Sequence, residues 1–297
     1  GLTRNRVVTD ISEPGSTTKP STAALAIESG KFKPDTMIST DGGKMSIGPA
    51  TIHDAHVEGT LSVAQVIQKS SNVGSAKMAL AMSPESMHGL FAKLGFGKAP
   101  QSGFPGEVAG RLRPYQSWRP IEQATMAYGH GISVSLMQLA RAYTVFTSDG
   151  ELKKVSLLKL EQPPESLRVL APATAQSVRA MLETVVLPGG TAPRAQVLGY
   201  RVAGKTGTAH KLEAHGGYAP DRYVASFVGF APASDPRFII AVMIDEPSAG
   251  QYYGGTVAAP VFSRIMAGAL RMLGVSPDLS TQNILLPADA PEVREET

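Results

Sequence analysis

Apolar residues recur at helical spacing from Leu61 to Met82, and Ser70-Ser71-Asn72 interrupts them. The pattern predicts two helices with a polar turn between. Ser83-Pro84 then supplies an N-cap and a first-turn proline for a short helix ending at Gly95. Further helices are predicted from about Ser16 to Glu28, with Pro20 fixing the start and Gly30 the end, and over 121–128 and 135–148, separated by Gly129-His130-Gly131. Another runs from Ala173 to Leu187, stopped by Pro188-Gly189-Gly190. After that the period changes. Tyr200–Ala209, Tyr223–Ala231 and Phe238–Ile244 read as three strands whose short connections favour antiparallel pairing. A helix from about Val257 to Leu273, with Pro260 in its first turn, closes the order. Arg6–Thr9 reads as a short strand before a turn at Glu13-Pro14-Gly15, residues 31–60 as an ordered loop with short strands, 96–120 as loop and 151–170 as a hairpin. Met78, Met126, Phe146 and Met266 are expected in the core. There is no internal repeat, and the order predicts an α+β fold with an antiparallel sheet covered by helices.

The composition supports a packed core. Of 297 residues 42% are apolar and 18% charged, enough for one large domain or two small ones. The absence of cysteine excludes a disulfide scaffold, a thiolate zinc site and a cysteine nucleophile. The net charge is +3, and without the last 21 residues, which carry five acids and one Arg, the chain holds 27 bases against 20 acids. These bases form no run, which favours a solvated surface over nucleic-acid binding. His53 and His56, with Asp54 between, read as surface residues, and neither a metal nor a cofactor is expected. No stretch reaches 18 apolar residues. The chain opens at Gly1 without Met, as a processed or cut piece would.

Three polar constellations carry candidate chemistry. Ser16-Thr17-Thr18-Lys19 stands at a helix start, where residues i and i+3 share a face and a lysine can take a proton from a serine. Ser70-Ser71-Asn72 offers a second hydroxyl to relay a proton and an amide that both donates and accepts. Lys205-Thr206-Gly207-Thr208 lies on a strand, where a glycine marks close approach of another backbone and an edge can pair with an extended peptide. Each is weak alone. Together, in this order and on these elements, they match the S-x-x-K, S-x-N and K-T-G set of serine acyl-enzymes. A decoy overlaps the third: Gly199 to Thr206 fits the phosphate-loop pattern of a nucleotide hydrolase, but its middle residues are strand formers and no helix is expected after Thr206.

The wording around the motifs sharpens the match. Arg4-Asn5-Arg6-Val7-Val8-Thr9-Asp10, Glu13-Pro14-Gly15-Ser16, Tyr128-Gly129-His130-Gly131, Val202-Ala203-Gly204-Lys205 and Tyr252-Tyr253-Gly254-Gly255 resemble the transpeptidase domain of class B penicillin-binding proteins, most closely the septal, FtsI-type enzymes. Two positions depart from the septal pattern: a hydrophobic residue commonly stands where Thr18 does, and the strand motif is often K-S-G-T. The resemblance implies a peptidoglycan D,D-transpeptidase acylated and inhibited by β-lactams, with Ser16 as nucleophile, Lys19 as base, Ser70 as relay and Asn72 on the substrate amide. Lys205 and Thr206 would hold a carboxylate, and the N–H groups of Ser16 and Thr208 would form an oxyanion hole. Gly207 completes the strand motif, and Tyr128, His130, Tyr252, Tyr253 and Gly254 would line the pocket. A β-lactamase or a non-enzymatic penicillin sensor would share the same acylation, but no glutamate between the second and third motifs matches a deacylating base. The implied partners are stem peptides, the lipid-linked precursor, β-lactams and division-machinery membrane proteins. The implied location is the periplasm, on a parent whose inner-membrane anchor and non-catalytic domain lie outside this chain. Residues 1–280 are expected to be the catalytic domain and 281–297 a flexible acidic tail.

Overall fold

The computed structural model describes residues 4–213 and 216–280, so the expected acidic tail lies outside the described residues. The chain begins with one helical turn, α1 (Arg6–Thr9), where a strand was expected. The reason is capping. The Asn5 side chain accepts from the Val7 N–H, the Asp10 N–H closes onto the Arg6 carbonyl, and the Asp10 carboxylate pairs with Arg4 and Arg6. These local bonds outweigh the β-preference of two valines. After Pro14 the chain makes a 3₁₀ turn, Gly15–Thr18, before α2 (Lys19–Glu28), so the helix expected from Ser16 becomes regular only at Lys19. Gly30 ends it at φ 74°.

The predicted break at Ser70 is present. α3 (Val63–Lys69) and α4 (Asn72–Leu80) are separately capped, α3 by a Ser62–Gln65 capping box and α4 by the Ser71 hydroxyl. Between them Ser70 stands in the left-handed region, at φ 61° and ψ 42°. α5 (Pro84–Lys93) starts at its Ser83 cap as expected. α6 (Pro120–Met126), α7 (Leu136–Ala142), α8 (Thr144–Thr147) and α9 (Pro172–Val185) follow.

Among the described residues there are four antiparallel sheets rather than one. Three are two-stranded: β1 (Met37–Ser39) with β4 (Thr60–Ser62), β2 (Lys44–Ile47) with β3 (Ala50–His53), and β5 (Glu151–Lys153) with β6 (Ser166–Arg168). The main sheet has the order β7 (Ala203–Leu212), β8 (Tyr218–Ala231), β9 (Phe238–Asp245). β7 starts three residues later than expected, because Val197 and Tyr200 bridge each other in a turn and the Tyr200 hydroxyl donates to the Val275 carbonyl. The last helix is split at Ala258 into α10 (Gly254–Val257) and α11 (Ala259–Met272). α11 lays Phe262, Met266 and Leu270, spaced four apart, on the sheet, with the Phe262 ring 4.7 Å from that of Phe227. Met78, Met126, Phe146 and Met266 are all buried in the core, as expected.

Close backbone packing locks the Ser16 turn in place. Gly129 adopts φ 87°, and a Cβ there would fall 2.2 Å from the Gly15 carbonyl oxygen. Both neighbours being backbone, neither can give way. Gly129→Ala is therefore expected to cost at least about 2 kcal/mol, read by urea unfolding. Gly89→Ala, inside α5 with nothing within 4 Å of the new methyl, is expected to stabilise by about 0.5–1 kcal/mol.

Candidate active site

The three motifs, far apart in the chain, converge on one hydroxyl. The Lys19 and Lys205 ammonium groups each donate to Ser70 Oγ at 2.9 Å, and Lys19 also donates to the Ser70 carbonyl at 2.5 Å. Both lysines are fully buried. Lys205 is held further by the Thr206 hydroxyl and carbonyl, at 3.2 and 3.3 Å. Ser16 sits in the 3₁₀ turn immediately before Lys19, buried at 5% exposure, and its carbonyl accepts the Lys19 backbone N–H. Ser70, in the left-handed region, presents both its hydroxyl and its carbonyl to Lys19.

β7 brings the third motif. It is the outer strand of the main sheet, with β8 as its neighbour there. Gly207 has no room for a side chain: a Cβ would meet Ser226 Oγ at 2.5 Å, Thr17 Cγ2 at 3.0 Å and the Pro14 oxygen at 3.1 Å. The serine's turn thus packs directly on the K-T-G strand. On the other face the Thr206 hydroxyl pairs with Thr191 at 2.8 Å, and the Thr208 hydroxyl accepts the Gly254 N–H at 3.0 Å. A Cβ on Gly254 would clash with Ser226 and Gly207 backbone oxygens, at 2.3 and 2.6 Å. The phosphate-loop pattern lies across this strand, which runs on to Leu212 with no helix following Thr206.

Several supporting residues carried no signal in the sequence. Asp54 anchors the S-x-N turn: one oxygen accepts the Ser71 hydroxyl at 2.6 Å, the other the Val73 N–H at 2.9 Å. Asn72 donates to the His53 carbonyl at 3.0 Å, so this histidine, whose side chain is exposed as expected, acts through its backbone. The buried Tyr143 hydroxyl donates to the Thr17 carbonyl at 2.8 Å. Spacings of 17 to 126 residues hide such pairs from any sequence pattern.

Aromatic side chains stand in two groups. Tyr128 and His130 are edge to face at 5.1 Å, and Tyr218, which the sequence reading missed, is 5.8 Å from His130. Tyr223 stacks on Tyr252 at 3.9 Å, and Tyr252 lies 4.5 Å from Tyr253. Burial, reinforced by Lys19 and then His210, pushes the His130 imidazole down to about 4, so it is neutral at neutral pH. Burial pushes the Tyr128 phenol well above its ordinary range, with the Asp54 charge adding to the effect.

Thr18 Oγ1 is buried with no hydrogen-bond partner. Thr18→Val keeps the shape and removes the unsatisfied hydroxyl, and is expected to raise stability by about 1 kcal/mol in urea unfolding. His130 ring protons followed by NMR are expected to titrate near pH 4, not at the ordinary 6.5. The unfolded chain binds a proton between these values that folded His130 refuses, so stability falls as pH drops from about 6.5 towards 4.

The chain and its fold have counterparts among known proteins. Residues 2–267 match the family described as the penicillin binding protein transpeptidase domain. The chain is 50% identical over 280 residues to the "Probable peptidoglycan D,D-transpeptidase PenA" of Neisseria flavescens, covering 94% of this chain and 69% of that one. It is 41% identical to the peptidoglycan D,D-transpeptidase FtsI of Escherichia coli K12, covering 94% of this chain and 47% of the relative, about half its length. The apo structure of the TP domain of Burkholderia pseudomallei penicillin-binding protein 3 superposes with a TM-score of 0.90 at 51% identity, covering 94% of this chain and 85% of that one. The fold, the motif order and these matches converge: the chain belongs to the penicillin-binding protein transpeptidase domain family.

Proposed function

We propose that the chain is the catalytic domain, residues 1–280, of a peptidoglycan D,D-transpeptidase that works through a serine acyl-enzyme in septal wall synthesis. The observation that carries the reading is the meeting of Lys19 and Lys205 at Ser70 Oγ beside the Ser16 turn. Two buried cations at one hydroxyl favour loss of a proton from one of them. Lys19, next to Ser16, is then the base. Ser16 Oγ attacks the carbonyl of the penultimate D-Ala, and its proton passes to Lys19. An ester bond forms, the C–N bond breaks, and Ser70 relays the proton to the departing D-Ala amine. The amine of a second stem peptide then attacks the ester carbonyl; the amide C–N bond forms as the ester C–O bond breaks, and the proton given up by that amine passes to Ser16 Oγ.

The N–H groups of Ser16 and Thr208 would hold the oxyanion, each worth roughly 3–4 kcal/mol. Lys205 and Thr206 would take the terminal carboxylate. Asn72, fixed by its bond to the His53 carbonyl, has a second N–H and its oxygen for the substrate amide. Gly207 keeps the strand close to the serine, and Tyr128, His130, Tyr252, Tyr253 and Gly254 would flank the bound peptide. The similarity to FtsI supports the septal role, and with it a periplasmic site on an inner-membrane-anchored parent, the lipid-linked precursor as substrate source and division proteins as partners. No helix among the described residues is long and apolar enough to cross a membrane. A β-lactam, acylating the same serine, would act as inhibitor.

Incubation with fluorescent penicillin, followed by intact-mass spectrometry, is expected to give one long-lived adduct. Ser16→Ala is expected to lower its formation by at least about a thousandfold. No adduct, or an adduct in Ser16→Ala, overturns the assignment. Rapid release of hydrolysed drug makes the protein a lactamase. A stable adduct without transfer from a stem-peptide donor to an amine acceptor makes it a sensor.

A further inference from the structure

The reaction above leaves one buried carboxylate unused. Glu13 lies three residues before Ser16 and is only 8% exposed. One of its oxygens accepts the Gly131 N–H at 2.7 Å and the other the Tyr218 hydroxyl at 2.9 Å. Neither donor is a cation. A buried carboxylate held only by neutral donors costs stability, and burial indeed pushes its affinity for a proton up. Such a group is kept for what it holds.

Its two bonds join two further pieces of chain to its own segment. Ser12, beside it, exchanges both backbone hydrogen bonds with Val134, at 3.0 and 2.9 Å, so the serine's leader segment already runs along the strand-like stretch after Gly131. The Gly131 bond adds the loop bearing Tyr128 and His130. The Tyr218 bond adds the first residue of β8, whose ring also stands beside that of His130. The result is a row of three rings, Tyr128, His130 and Tyr218. The row borders the site, because Gly129, between Tyr128 and His130, packs its backbone against Gly15, the neighbour of Ser16.

We propose that Glu13 is a positioning residue, which clasps the Tyr218 end of β8 and the Tyr128–Gly131 loop to the Ser16 turn and thereby sets the aromatic wall that receives the acyl donor's peptide chain. The proposal rests on the acyl-transfer reading. It assigns Glu13 to recognition of the donor and not to proton transfer at Ser16. Losing the clasp therefore weakens the pre-covalent complex and leaves the acylation step within it nearly unchanged.

The experiment measures acylation of wild type, Glu13→Ala, Glu13→Gln and Tyr218→Phe by fluorescent penicillin, resolving the dissociation constant of the first complex from the acylation rate constant within it. Hydrogen–deuterium exchange at residues 129–133 and 218–223 is followed in parallel. Glu13→Ala is expected to weaken the first complex about tenfold, with the rate constant within about twofold of wild type. Glu13→Gln, whose amide still accepts from Gly131 and donates to the Tyr218 oxygen, is expected to recover most of the loss. Tyr218→Phe is expected to weaken the complex without adding to the effect of Glu13→Ala in the double variant. Both segments are expected to exchange faster in Glu13→Ala. Unchanged exchange and unchanged affinity overturn the proposal, as does a loss confined to the rate constant, which would make Glu13 part of the chemistry. If wild type forms no adduct, the acyl-transfer reading has failed, while the exchange data still decide whether Glu13 is a clasp.

Discussion

The arrangement depends on two lysine amino groups being held, out of water, against a single serine hydroxyl. Lys19 comes from the first turn of α2, Lys205 from the edge strand β7, and Ser70 from the joint between α3 and α4. Placing like charges together in a buried site is unfavourable in itself. The surrounding fold has to enforce it, and the elements nearest the site can be understood as the means. Ser70 is forced into the left-handed region, at a cost of about 1–2 kcal/mol for a residue with a Cβ. Independent caps on α3 and α4 fix the joint on both sides, and Asp54 ties it to the end of β3.

The second means is backbone contact at glycine. Gly129 receives the Gly15 peptide, Gly207 receives the turn between Pro14 and Thr17, and Gly254 receives the β7–β8 backbone. Each contact leaves no room for a side chain on the glycine, and at Gly129 and Gly254 the nearest atoms are main chain. The serine's turn is thus held on two sides, by the Tyr128–Gly131 loop and by the K-T-G strand. At Gly129 and Gly254 position is set by backbone contacts that side-chain motion cannot relax, as catalysis by pre-orientation requires.

Stability is given up in the same region. Thr18 keeps a buried hydroxyl without a partner, and Glu13 a buried carboxylate without a cation in its hydrogen bonds. His130 is kept neutral among other rings. The large helical and sheet core formed by Phe227, Phe262, Met266 and their neighbours, far from these groups in character, offsets such costs.

The sequence by itself determined the element types wherever a periodic run was bounded by its own stop signals: the α3–α4 break at Ser70, α5 after Ser83-Pro84, α9 before Pro188 and the three strands of the main sheet. It also singled out the groups that meet at Ser70 Oγ, because S-x-x-K, S-x-N and K-T-G are each short enough to be read locally. It misread Arg6–Thr9, where two valines suggested a strand and the flanking Asn5 and Asp10 closed a helical turn. Only the tertiary structure decided that both lysines end on Ser70, that Asp54 and the His53 carbonyl support the S-x-N turn, and that Glu13 reaches Tyr218 across 205 positions. Caps and periodicity act within a few residues, so they are written in the chain. Hydrogen bonds between segments exist only once the core has brought those segments together, and no local pattern encodes them.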